Sequence, residues 1–473
     1  MTESARSDTD RSMLATSAGG ERASPSEMRA MITLAFPVVV AQVGLMAMGA
    51  VDTLMVGHIS ARVLAAVALG NLYFFNAIVL SQGTLMALDP IIAQAIGARD
   101  EAAVSRALQR GLLLAVLLSV LTALILLPVR SVLLLTRQQA EIIADTTNYV
   151  WLSIPGALPF LLFIVFRQTL QALHRVSNVV WTIIGANLVN AGLNWVFVYG
   201  HLGSAPMGAV GSALATMVSR WLMAFVLLAL AWPQLRSYLV PFRRDVLHLR
   251  PLGRVLRLGL PIGAQQLLES GAFGAIGLMM GMLGTIEMAA HQIAITLAAL
   301  TIMVPLGVSA AAAVRVGRAV GAHDAPRARL AARAALICGM GFMTLTALLF
   351  LAAPALLAGA FTADVRVIAL AGVLIPVAGV FQIFDGAQAV GAGVLRGIGD
   401  TKAPLIAMIV GYWGIGLPVS ILLGFHTSLR AAGLWWGFVA SLSMVALFLF
   451  LRMRVLFRRQ LSRIVIDEVR API

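Results

Sequence analysis

Four carboxylates stand inside long apolar stretches of this 473-residue chain: Asp52, Asp89, Glu269 and Asp385. A charge near the middle of a bilayer costs at least about 2.5–3.5 kcal/mol on insertion scales, so such a group ordinarily faces a cavity and has a task there. Glu269 has Gln266 three residues before it, and Asp385 has Gln388 three residues after it and Phe381 one turn before it. On a helix each of these sets shares a face. Asn187, Asn190 and Asn194 recur at i, i+3 and i+7, a single stripe that can line a wet cleft or join helices. Met46, Met48 and Met55 surround Asp52, and Met279, Met280 and Met282 follow Glu269. Methionine either fills a core or offers an adaptable apolar surface, with Met55 and Met279 as the candidates for the second role. Asp89 precedes Pro90 near a helix end, where capping or pairing with an Arg competes with a functional role.

Other chemistry lacks its residues. No GxxxxGK[ST] loop is present to bind ATP, and no HExxH pattern to hold zinc. Cys338 is the single cysteine, so no intrachain disulfide and no cysteine-based metal site can form. No catalytic residue and no cofactor is expected, and the chain is not read as an enzyme.

The elements that must position these acids are membrane helices. Sixty per cent of the residues are apolar and 11 per cent charged, against about 45–50 and 25 per cent in soluble domains. That balance excludes a soluble enzyme, a disordered chain and a porin-like barrel. Twelve apolar runs of bilayer-spanning length follow one another between residues 30 and 452. With the N-terminus placed inside, 28 of the 34 Lys and Arg fall in inner segments and five in outer ones, Arg220 lying within a span. The net charge of +14 thus orients the chain in its bilayer rather than recruiting nucleic acid. The expected organisation is a disordered tail over 1–28, a first lobe over 29–232, a basic linker over 233–254, a second lobe over 255–452 and a basic tail over 453–473. Both termini are expected in the cytoplasm of a bacterium, and the protein is expected to be monomeric.

A shift of 224 residues superposes the two halves. Phe36-Pro37 meets Leu260-Pro261, Gly83 meets Gly307, and Gly97-Ala98 with Asp100 meets Gly321-Ala322 with Asp324. Six spans per half is an even number, so the repeats are parallel, and the fold expected is an all-α polytopic membrane protein of two six-helix lobes around a central cleft. The acids do not recur: Asp52 meets Ile276, Glu269 meets Leu45 and Asp89 meets Ala313. A duplicated scaffold with unduplicated acids points to function at the acids. Pro37 and Pro261 either open their helices or kink them.

These residues resemble the multidrug and toxic compound extrusion (MATE) transporters, in particular the bacterial NorM-like branch. The resemblance spans about residues 30–452. It is carried by Phe36-Pro37 with Ala50-Val51-Asp52-Thr53-Leu54-Met55-Val56-Gly57, by Ala289-Ala290-His291-Gln292-Ile293-Ala294, by Leu193-Asn194-Trp195, and by Gln382, Asp385, Gln388 and Gly391. It implies export of drugs and cationic dyes in exchange for Na⁺ or H⁺. It also implies a polar site of Asp52, Asn190 and Asn194 in the first lobe, and a cation site of Glu269 and Asp385, a candidate Na⁺ site, in the second. Phe381 stands where Na⁺-using members often carry Tyr, which removes an oxygen from that site. The competing expectation is a flippase for a lipid-linked oligosaccharide, whose anionic substrate calls for cleft arginines rather than acids.

Overall fold

The computed structural model describes residues 25–467, among which twelve helices are long and apolar enough to cross a membrane. They are α1 (Ser26–Gly57), α2 (Ala61–Gly97), α3 (Glu101–Leu126), α4 (Ala140–Ala172), α5 (Ser177–Tyr199) and α6 (Ala209–Leu239), then α7 (Leu249–Leu283), α8 (Thr285–Gly321), α9 (Ala325–Ala352), α10 (Val365–Ile398), α11 (Lys402–Phe425) and α12 (Arg430–Arg458). Large apolar side chains such as Leu54, Leu124, Leu278 and Leu345 lie exposed along them. In water that surface would be a liability; in a bilayer it is the lipid face.

Helix ends overrun the apolar runs. α1 starts inside the expected 1–28 tail, α6 and α7 shorten the expected 233–254 linker, and α12 continues past 453 to Arg458. Basic turns stay helical beyond the hydrocarbon because their backbone bonds remain satisfied while the arginines reach water. Residues 1–24 and 468–473 lie outside the described chain, so the expected disorder of the N-terminal tail falls there. Pro37 and Pro261 both sit inside their helices rather than at the start.

The repeat is visible in three dimensions as reciprocal contacts across the lobe boundary. A Cβ added to Gly97 would fall 2.0 Å from the carbonyl oxygen of Arg318, and one added to Gly321 would fall 2.0 Å from that of Gln94. Residues 94 and 318, like 97 and 321, differ by 224, so each lobe presents the same glycine to the same turn of the other. Gly83 against Gly263 and Gly307 against Val39 form a second reciprocal set. Asp100 caps α3 through the N–H of Ala103 and Asp324 caps α9 through that of Arg327, both at 2.9 Å. The preceding residues, Arg99 and His323, share left-handed φ values of 57° and 58°.

Lobe-to-lobe packing runs through α1 and α2 against α8 and α7. These glycine contacts all lie in the helix halves nearest the end that carries the basic segments, called the basic end below. There Gln94 also donates to the Gly397 carbonyl at 2.9 Å. Residues 463–467 cross the same seam. Arg463 pairs with Asp100, the Ile464 N–H donates to Gln94 Oε1 at 2.6 Å, Asp467 receives Arg106 and Arg110, and Arg254 of α7 donates to the Ile466 carbonyl.

Candidate cation-binding sites

In the first lobe, α1 carries Asp52, α5 carries Asn190 and Asn194, and α6 carries Thr216. Asp52 is 1 % exposed. Its carboxylate receives Asn194 Nδ2 at 2.7 Å on one oxygen and Thr216 Oγ1 at 2.6 Å on the other. Asn190 donates to Thr216 Oγ1 at 3.3 Å and accepts from Asn194 at 3.3 Å, closing a ring of polar groups about the acid. Asn190 and Asn194 are wholly buried. Because α5 places residues 190 and 194 one turn apart, both amides reach Asp52 together. Asn187 does not join them. Its amide donates to the carbonyls of Gly44 on α1 and Ile183 on its own helix, both at 2.9 Å. The expected three-residue cleft stripe is therefore a pair around Asp52 plus one helix-joining Asn.

Arg220 of α6 is the base nearest this ring, within electrostatic reach of Asp52 and Tyr149. Its guanidinium lies over Phe74, 4.1 Å from the ring centroid, and 5.6 Å from that of Phe160. Aromatic faces thus hold the cation where no carboxylate pairs with it directly. Tyr149 donates to Asn71 at 2.8 Å behind it.

In the second lobe, Glu269 of α7 is half-buried and Asp385 of α10 is 6 % exposed. They are close enough to interact electrostatically, yet among the described residues neither carboxylate makes a hydrogen bond or an ion pair. Two mutually repelling carboxylates, one buried and one half-buried, thus lack a protein donor among the described residues, an arrangement whose charge a cation or proton would neutralise. Orphaned polar atoms lie on α10 and α11: among the described residues Gln388 Oε1, Gln382 Nε2 and Tyr412 Oη are buried without partners. Among the described residues no group of three or more His, Cys, Asp or Glu side chains is arranged to hold a metal ion. A Na⁺ here would draw on the two carboxylates together with neutral oxygens such as those of Gln388 and Tyr412.

Phe381 is buried edge-on to Phe273 and Trp435, with ring centroids 6.1 and 5.4 Å away. Its ring walls the site rather than ligating anything. The phenol comes from elsewhere: Tyr412 lies within electrostatic reach of both Glu269 and Asp385. It sits in a π-helical stretch of α11, Ile409–Gly416, whose wider turns rotate residue 412 off the face that α-helical periodicity assigns it. No sequence signal marks that turn. Gln266 faces α2, donating to Met86 Sδ at 3.3 Å, so it sits at the lobe boundary and not on Glu269. Met279 is core packing, 8 % exposed, while Met55 is half-buried and its carbonyl accepts the Tyr199 hydroxyl at 2.6 Å. An open methionine surface is therefore not what Met279 supplies.

Asp89 belongs to neither site. It is 2 % exposed and lies 3.7 Å from Arg396 of the other lobe, with Arg167 also in electrostatic reach. Of the readings open to it from sequence, pairing with an Arg is the one realised, and the pair crosses the lobe boundary.

The comparisons agree with this architecture. The MatE family profile matches residues 37–196 and 261–422, one segment in each lobe. A probable multidrug resistance protein NorM of Mesorhizobium japonicum is 38 % identical over 439 residues, covering 90 % of this chain and 93 % of its own. A multidrug resistance protein NorM of Burkholderia vietnamiensis is 37 % identical, covering 87 % and 90 %. Among solved structures, the eukaryotic MATE transporter AtDTX14 superposes with a TM-score of 0.83 at 21 % identity, over 91 % of this chain and 96 % of that one. An outward-facing multidrug resistance MATE family transporter of the MOP superfamily superposes at 0.82 and 21 % identity, over 92 % and 97 %. With one matched segment in each half of a twelve-helix duplicated bundle, and relatives aligned along nearly its whole length, the chain belongs to the MatE family, as a bacterial NorM-like MATE transporter.

Proposed function

We propose that this protein exports organic cations and amphipathic drugs across the bacterial cytoplasmic membrane in antiport with Na⁺ or H⁺, by alternating access of its two lobes. The observation that carries the proposal is the pair Asp385, buried, and Glu269, half-buried, in the second lobe with no hydrogen bond or ion pair of their own among the described residues. A structural acid in a bilayer is paired; an unpaired couple gains from any cation that reaches it. An inorganic cation or proton and a cationic drug then compete for one charge, and that competition is the coupling. Asp52, held by Asn194 and Thr216, is a second protonatable or drug-linked group in the first lobe.

The basic end is the cytoplasmic end in this reading, which places both termini inside. Inward movement of Na⁺ or H⁺ releases about 2.3 kcal/mol per charge per 100 mV; a one-for-one exchange with a monocationic drug cancels that term, so the ion's concentration gradient, or a second ion, drives export. In this reading a closed basic end corresponds to the outward-facing state of that cycle, which the close lobe contacts at Gly97 and Gly321 support. The test is uptake of a fluorescent cationic drug into everted vesicles, driven in turn by an imposed Na⁺ or H⁺ gradient. Uptake with either ion supports antiport. Uptake that ignores both gradients rejects it.

A further inference from the structure

The pseudo-two-fold places two equivalent notches at the lobe seam on the basic end. One is built around Gln94 and Asp100, the other around Arg318 and Asp324, 224 positions on. The first is filled by the chain itself. Residues 463–467 lie in it, and the Asp467 carboxylate receives Arg106 at 2.6 Å and Arg110 at 2.7 and 3.0 Å. The second is a cavity of about 340 Å³, lined by Arg99 and His174 from the first lobe and by Arg315, Arg318 and Arg327 from the second.

The charge of this second notch is not balanced. Glu27 pairs with Arg315 and lies 3.9 Å from Arg327. Asp324 also lines the cavity, one of its oxygens capping α9, so two carboxylates stand against the four guanidiniums of Arg99, Arg315, Arg318 and Arg327. Arg99 and Arg318 form no ion pair among the described residues, and Arg315 Nε is buried without an acceptor. His174 feels the excess: burial, then Arg318 and Arg315, push its imidazole down to about 4. A second cavity of about 570 Å³ shares the His174 and Arg315 walls and continues along Ala30, Leu34, Pro37 and Val176, an apolar strip edged by Arg29, Thr33 and Ser177.

We infer that this notch binds a phosphate-bearing anion whose oxygens bridge Arg99 of one lobe and Arg315 and Arg318 of the other. Guanidinium forks match phosphate oxygens in geometry and charge. The chain uses the same pairing nearby, where the Asp467 carboxylate sits on Arg106 and Arg110 of α3 at the seam. Since the walls come from both lobes, the site is complete only while the basic end is closed, and an occupant holds it closed. The apolar flank suits an acyl chain, so the phosphate can belong to an anionic lipid or to a soluble phosphate, and the two are separable by experiment.

The test uses the full-length protein in phosphatidylcholine nanodiscs, with cardiolipin added in one arm and inorganic phosphate or ATP in another. Native mass spectrometry reads retained lipid, and thermal unfolding reads the soluble anions. Wild type should retain cardiolipin over phosphatidylcholine, or be stabilised by a soluble phosphate. Each of Arg99→Gln and Arg318→Gln should weaken that binding about fivefold, and the double variant roughly 30-fold. Arg318→Lys should retain part of it. Arg454→Gln, at a residue that lies over Phe450 away from the notch, should leave it unchanged. Should the double variant fail to fold, the exposed Arg99→Gln alone carries the same expectation. Equal binding by wild type and the Arg99 and Arg318 variants, or no binding in either arm, overturns the assignment. None of these readouts requires transport, so they stand or fall apart from the export reading.

Discussion

Asp89→Asn removes a buried carboxylate that serves two guanidiniums, Arg396 and Arg167, at the seam. At 3.7 Å, and with an effective dielectric near 20, its attraction to Arg396 is about 4.5 kcal/mol before desolvation is subtracted. Removing one partner of a buried pair typically costs about 3–5 kcal/mol, because the other charge stays buried and uncompensated. Here Arg167 loses its counter-charge as well. Opening the basic end returns Arg396 to water, so the cost falls on the closed state alone. The closed-to-open ratio should fall by roughly two to three and a half decades. Spin labels at Arg175→Cys and Lys402→Cys, exposed positions on opposite lobes at the basic end, in a Cys338→Ala background, read the separation directly. The Asp89→Asn distance distribution should move to longer separations. Asp89→Asn combined with Arg396→Gln should recover part of the closed population, since two neutral partners leave less charge unpaired. Identical distributions for wild type and Asp89→Asn would refute the reasoning.

Four further outcomes follow from the same geometry. Thr216→Val preserves shape but deletes the hydroxyl that donates to Asp52 and accepts from Asn190, so thermal unfolding should show a loss of about 1.5–3 kcal/mol, with Asn187→Ala costing less. Gly97→Ala sets a methyl against the Arg318 carbonyl and should open the basic end in the same distance measurement while leaving both acid sites intact; Gly321→Ala should match it across the pseudo-two-fold. Truncation after residue 459 removes the strap over the seam and should increase cysteine accessibility at Gln94→Cys. Acid should do the same only late. Burial alone would raise the Asp467 carboxyl, but Arg110 and Arg106 more than reverse that and hold it below the ordinary carboxylate range. Its contribution is therefore complete above about pH 4 and lost as pH falls further, so accessibility should stay flat from pH 8 to about 5.

The fold was legible because a bilayer imposes few solutions. Apolar run length, the inside bias of arginine and the 224-residue repeat each constrain the same twelve helices. The first-lobe site was legible for a related reason: Asp52, Asn190 and Asn194 are polar in apolar runs, and one helical turn separates the two amides. Thr216 was not, since a threonine inside a membrane helix ordinarily bonds its own backbone, as Thr182 does to the Asn178 carbonyl. Tyr412 escaped because a π-helical turn breaks the periodicity from which a face is read. Asn187 shows the opposite error, a residue on the right stripe whose amide is drawn to the Gly44 carbonyl. The C-terminal arginines read only as topology signals, yet Arg463 and the neighbouring Asp467 tie the lobes together. Side-chain pairing over 300 residues apart has no periodic trace in a single sequence.

Gradient-driven drug uptake by purified protein in proteoliposomes tests the central claim most directly, comparing wild type with Glu269→Gln and Asp385→Asn at matched incorporation. Loss of coupled uptake in both variants, with drug binding or helix content retained, is the expected result. Undiminished uptake by Asp385→Asn under the same Na⁺ or H⁺ gradient would contradict it.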